Sequence, residues 1–258
     1  MYGQTMTPIA ITLLVFVCVF GGALLGIFLQ AVLPEHQLNE PTKDVVKLVT
    51  GLIATLSALV LGLLVASAKS SFDTVNEAAK DVAAKIVLLD RVLAQYGPET
   101  KDVRELLRRS FTTRVEQIFS KDESRRVGLK SAESTAATEG IQQRLRALSP
   151  QNEAQRSLKS RAVELGDAVA QTRWVLIEHE ENTIPAPLLV VLVLWLAAMF
   201  TSFGLFAPRN TVVITVLFVG ALSLSASIFL IEELNNPLKG LMSISRAPLD
   251  TAIGQLGQ

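Results

Sequence analysis

TGLIATLSALVLGLLVASAKSSFDT, residues Thr50 to Thr74, decides how the chain folds. As far as Ala68 its side chains are uncharged and mostly apolar, and from Lys69 onward charge returns with no proline to end a helix at the change. A helix through this stretch would leave hydrocarbon and enter water as one rod. It is an anchor at least; whether it is also a subunit interface or the wall of a permeation path is the functional question.

Working outward, this apolar run extends from Leu48 to Ala68, and three others match it: Pro8 to Leu33, Pro187 to Ala207 and Thr211 to Ile231. Each reaches the roughly 20 residues that a helix needs to cross a hydrocarbon layer about 30 Å thick. None contains Asp, Glu, Lys, Arg or His. A charge at mid-bilayer costs about 2.5 to 3.5 kcal/mol on insertion scales and is normally kept for transport or proton relay. Ion-coupled transport is therefore a weaker reading than passive conduction or a scaffolding role. The first run has no Lys or Arg before it and no small-residue cleavage site after it, so it reads as a retained span rather than a signal peptide.

Composition agrees with a membrane protein. Half of the 258 residues are hydrophobic and 19% are charged, with a mean hydropathy of +0.40. Formal charge is zero and basic residues alternate with acidic ones, so nucleic acid is not an expected partner. The single cysteine, Cys18, excludes an intrachain disulfide and reads as a small packing residue. His36 and His179 are expected on opposite sides of the membrane and cannot share a site within one chain.

These features give an all-α integral membrane protein with four transmembrane helices and a helical stalk inserted between the second and third spans. Residues 1–69 hold the first pair of spans, 70–184 the stalk domain, 185–231 the second pair and 232–258 an interfacial tail. The segment from Lys69 to Ile184 carries nineteen Lys or Arg and eighteen Asp or Glu. The bias of Lys and Arg toward its side of the membrane places the stalk and both termini in the cytoplasm, across an inner (cell) membrane.

Within the stalk, Phe72, Val75, Ala79, Val82, Ile86, Leu89, Leu93 and Tyr96 recur at steps of three and four, the heptad spacing of one packed seam. The second span and this segment thus form one long helix, ending at YGPET, where Gly97 suits a left-handed cap and Pro98 the first turn of the next helix. Val103, Leu107, Phe111, Val115 and Ile118 mark that next helix. SKDESRRVGLKSAESTAATEG, residues 120–140, has almost no apolar content and is expected to be a mobile loop. Ser149 and Pro150 then supply a cap and first position for a helix whose seam runs through Ala154, Leu158, Ala162, Leu165, Val169, Thr172 and Leu176. In the tail, Leu238, Leu241, Met242 and Ile244 favour docking on the stalk over lying in the headgroups.

Thr50, Ala54, Ala58, Gly62, Ala66 and Ser70 fall every fourth residue, a ladder of small side chains of the kind that lets helices approach closely in lipid. Three uses stand for it: packing within one subunit, packing between subunits, or lining a conduction path. GALLG, Gly22 to Gly26, is by comparison a single GxxxG, a pattern common by chance in membrane helices. Lys69 sits where the second helix leaves the membrane; it is either a snorkelling interface lysine or, in a symmetric oligomer, part of a ring of positive charge. Glu178, Glu180 and Glu181 before the third span and Glu232 and Glu233 after the fourth are expected at one level. Glu178, Glu181, Glu232 and Glu233 could coordinate Ca²⁺ or another hard cation, although no EF-hand spacing is present and a solvated acidic edge is the commoner arrangement. No cofactor is called for. No nucleophile elbow, P-loop, HExxH or dinucleotide turn occurs, so enzymatic catalysis is not expected.

ALVLGLL and SAKSS in the second helix, YGPET, FGLFAPRN in the last hairpin, and PLKG and ISRAPL in the tail together resemble the bacterial bestrophin-like domain family, over nearly the whole chain. The tail departs from that pattern at Asn235 and at Pro237-Leu238, where an acidic residue and Pro-Phe would stand, which weakens the tail acids as ion ligands. The resemblance implies an integral membrane protein and an analogy to bestrophin anion channels. Two functions follow. One is an oligomeric ion channel whose second helix lines or flanks the central axis, joined through that helix and its heptad extension, with Thr50, Ala54, Ala58, Gly62, Ala66 and Lys69 at the pore or subunit interface. The other is a non-conducting scaffold or sensor in the lipid bilayer whose stalk recruits a cytoplasmic protein partner.

Overall fold

The computed structural model describes residues 7–34, 39–120, 132–181, 186–238 and 242–258, with side chains omitted at 132–135, 177–181 and 186. Among them there are helices and turns but no strand. The helices are α1 (Pro8–Val32), α2 (Glu40–Tyr96), α3 (Lys101–Ile118), α4 (Ala132–Ala147), α5 (Glu153–Glu181), α6 (Ala186–Phe206), α7 (Thr211–Leu234) and α8 (Ala247–Gln255). Four of them, α1, α2, α6 and α7, are long and apolar enough to cross a membrane. The chain divides into two compact units, residues 1–70 with 183–235, and residues 71–182 with 236–258, so α2 contributes to both.

The first unit is organised around α1. Thr7 caps its start, with the threonine side chain accepting from the Ala10 amide. Val15, Val19, Ala23 and Gly26 form its buried face, and Leu192, Leu196, Phe200 and Gly204 repeat every fourth residue along the buried face of α6. Where the two helices cross there is no room for side chains. A Cβ added at Gly22 would lie 2.7 Å from the Ala197 carbonyl oxygen, one at Gly26 would overlap the Thr201 carbonyl oxygen, and one at Gly204 would overlap that of Ala23. GALLG, read above as a pattern common by chance, is half of a close crossing of α1 and α6. Phe16 and Phe20 of α1 meet Phe218 of α7 edge to face at 5.4 Å each. At the far end of α1, Gln30 donates to the Ala207 carbonyl at 3.2 Å and Arg209 donates to the Gln30 side chain and the Ile27 carbonyl. These bonds hold the α6–α7 turn beside the end of α1. Cys18 is exposed on α1 and is not the packing residue expected from the sequence.

The second unit closes on the heptad seam. Val75, Ala79, Ile86, Leu89, Leu93 and Tyr96 are all buried, with Leu89 1% and Leu93 0% exposed. Ile86, Leu89 and Leu93 cluster with Leu107 of α3, Leu165 of α5 and Leu249 of α8 in one apolar core. The seam is therefore satisfied inside its own chain, and it is not a surface on which a second copy could zip. A heptad pattern specifies a packed face without specifying whose helix covers it.

At the helical corner Gly97 has φ 139°, a backbone that favours glycine, and Pro98–Thr100 forms a 3₁₀ turn before α3. Thr100 is fully buried and its hydroxyl binds the Leu93 and Gly97 carbonyls at 2.5 and 2.8 Å. Two expectations from sequence fail here. The α5 cap is Asn152, whose side chain accepts from the Gln155 amide at 2.8 Å, so the helix starts at Glu153, later than a cap at Ser149 with Pro150 in the first position would place it. Residues 132–140, expected to belong to a loop, are instead the first part of α4; the alanines and glutamates that leave the stretch without apolar periodicity are good helix formers. Residues 121–131 lie outside the described segments.

The tail docks on its own unit rather than lying apart as an interfacial segment: Ile244, Leu249, Ala252 and Leu256 are buried, while Met242 is exposed and Leu241 lies outside the described residues. A buried charge holds it. Asp90, 1% exposed, accepts from Arg104 Nε and Nη2 at 2.8 and 2.9 Å and from the Gly257 amide at 3.1 Å, while Arg104 Nη2 also donates to the Gln258 carbonyl at 3.1 Å. Removing one member of such a pair leaves the other desolvated and unmatched. Arg104→Ala is expected to lower unfolding stability by about 2 to 3 kcal/mol and to make the α8 segment the first site of limited proteolysis; an unchanged melting curve and an unchanged digestion pattern would refute this.

Candidate functional site

The ladder from Thr50 to Ser70 does not lie on one face of α2. At 3.6 residues per turn a step of four overshoots a full turn by about 40°, so five steps carry the rungs roughly 200° around the helix. Burial follows this drift: Thr50 is buried, Ala54 half-buried, and Ala58, Gly62, Ala66 and Ser70 are exposed. The buried face of α2 is marked instead by Thr50, Ser57, Leu64 and Ala68. Packing of the whole ladder within one subunit is thus ruled out, since its last four rungs lie away from that buried face.

A straight stripe does exist, and it is exposed. Gly51, Thr55, Ala58, Gly62, Ala66 and Lys69, separated by 4, 3, 4, 4 and 3 residues, keep within about 80° of one another around the axis. Every member is solvent- or lipid-accessible in the single chain. A Cβ built on Gly51 or on Gly62 meets no atom within 4 Å. The Thr55 hydroxyl donates to the Gly51 carbonyl at 2.9 Å, so it adds a dipole to the stripe without leaving a bare donor. Beside the stripe stand exposed leucines, Leu52 at 62%, Leu59 at 72% and Leu63 at 66%. Large apolar side chains are what a helix offers to lipid; a strip of glycine, alanine and threonine bordered along one edge by them is where another helix, or a column of water and ions, can come close to the backbone. Lys69 closes the stripe at its charged end. Of the six residues expected from sequence at the pore or subunit interface, Ala58, Gly62, Ala66 and Lys69 fall on this stripe and Thr50 and Ala54 do not, while Gly51 and Thr55 fall on it only when the count alternates threes and fours instead of strict fours.

The side chains of Glu178, Glu180 and Glu181 lie outside the described residues, as do His36 and the side chain of His179. Glu232 and Glu233 are each 5% exposed. Among the described residues no three His, Cys, Asp or Glu side chains are placed to hold a metal ion.

A family model described as Bestrophin-like domain matches residues 17–249. Among solved structures, the chain is similar to the crystal structure of a bacterial bestrophin homolog from Klebsiella pneumoniae that carries one mutation. The TM-score is 0.62 at 15% identity, covering 94% of this chain and 96% of that one. No curated protein sequence matches significantly. At that identity the likeness to the Klebsiella protein is one of fold.

Proposed function

The chain belongs to the bestrophin-like family, and from that premise we propose that it is an oligomeric ion channel of the cell membrane in which the exposed stripe of α2 lines or flanks the central axis. Family membership and the four apolar helices support a channel-type function in a bilayer. The carrying observation for the role of α2 is the stripe itself: six small, hydroxyl or basic residues in helical register, open in the single chain and set among exposed leucines. In this reading the oligomer forms through the membrane-spanning part of α2 and not through the heptad seam, which is already buried. Lys69 from each copy then forms a ring at the mouth of the path, favouring anions near it. The excess of Lys and Arg beyond the spans puts the second unit and both ends of the chain in the cytoplasm.

The test is electrical. Purified protein is reconstituted in planar bilayers on a Cys18→Ser background, and single cysteines are placed at Ala58, Ala66 and Leu63, the last an exposed position about 100° around the helix from the middle of the stripe. Discrete currents, blocked by a charged thiol reagent at the first two positions and insensitive to it at Leu63, are the expected result. Silence across sodium, potassium and chloride gradients, voltages of both signs and a range of Ca²⁺ would overturn the channel reading. Block at Leu63 alone would overturn the assignment of the face.

A further inference from the structure

We draw no further inference here: the strongest candidate, the half-open apolar pocket between α2, α3, α4 and α5 of the second unit, walled by Ile86, Leu89, Phe111 and Val169, carries none, because the arginines at its wall, Arg114 and Arg173, are already engaged and nothing in the structure shows what covers it.

Discussion

Gly26→Leu is expected to prevent the membrane unit from assembling, with a loss on the order of 4 to 5 kcal/mol and little protein recovered in a folded state. The reason is geometric. A Cβ at this position already overlaps the Thr201 carbonyl oxygen and comes within 2.8 Å of the Leu205 amide nitrogen, and both obstacles are backbone. Backbone cannot swing aside as a lysine tip can, so α1 and α6 would have to separate along their whole crossing. That separation would unpack Ala23, Gly204 and Leu196 together. The neighbouring glycine supplies the control: a Cβ at Gly21 meets nothing within 4 Å, and Gly21→Leu adds an apolar group to an exposed face of a span. It is expected to accumulate and melt like the parent. Gly22→Ala should fall between them, since its nearest obstacle, the Ala197 carbonyl oxygen, stands at 2.7 Å. Expression followed by thermal unfolding in detergent reads all three. Equal recovery of the Gly21 and Gly26 variants would mean that the α1–α6 crossing is looser than its glycine contacts require.

The contrast between Gly26 and Gly62 shows what a sequence of this kind makes legible. Apolar length and the absence of charge located four helices, because crossing hydrocarbon constrains composition directly and needs no knowledge of neighbours. The seam from Val75 to Tyr96 was equally visible, because a buried helix face must be periodic. What periodicity leaves open is the identity of the covering partner. The heptad seam, expected to join subunits, lies in its own chain's core, whereas Gly22 to Gly26, set aside as a pattern common by chance, forms a close backbone crossing in the first unit. The signal that would have found the second was its complement: Gly204 and Ala197 on α6, small residues seven apart on a span joined to α7 by a short turn.

Gly62→Leu addresses the remaining face, and its expected effect is dispersal of the oligomer without damage to the single chain. Nothing lies within 4 Å of a Cβ at Gly62, so the chain's own packing has room for the added isobutyl group. Leucine is also among the residues that lipid tolerates best, and Leu59 and Leu63, close to the position, are already exposed. Any penalty must therefore come from another copy approaching the stripe. Overpacking a close helix contact costs about 1 to 3 kcal/mol, which is roughly five- to 150-fold in each association constant. Every interface of a symmetric assembly bears it. Light scattering of the purified variant in detergent should show the mass falling toward that of one chain while the thermal melt of the monomer is preserved. A preserved mass with single-channel current reduced tenfold or more would move Gly62 from the contact between subunits to the wall of the path, which the same proposal allows. If mass and current both match the parent, the stripe faces lipid, and the role proposed for α2 fails even though the family assignment stands.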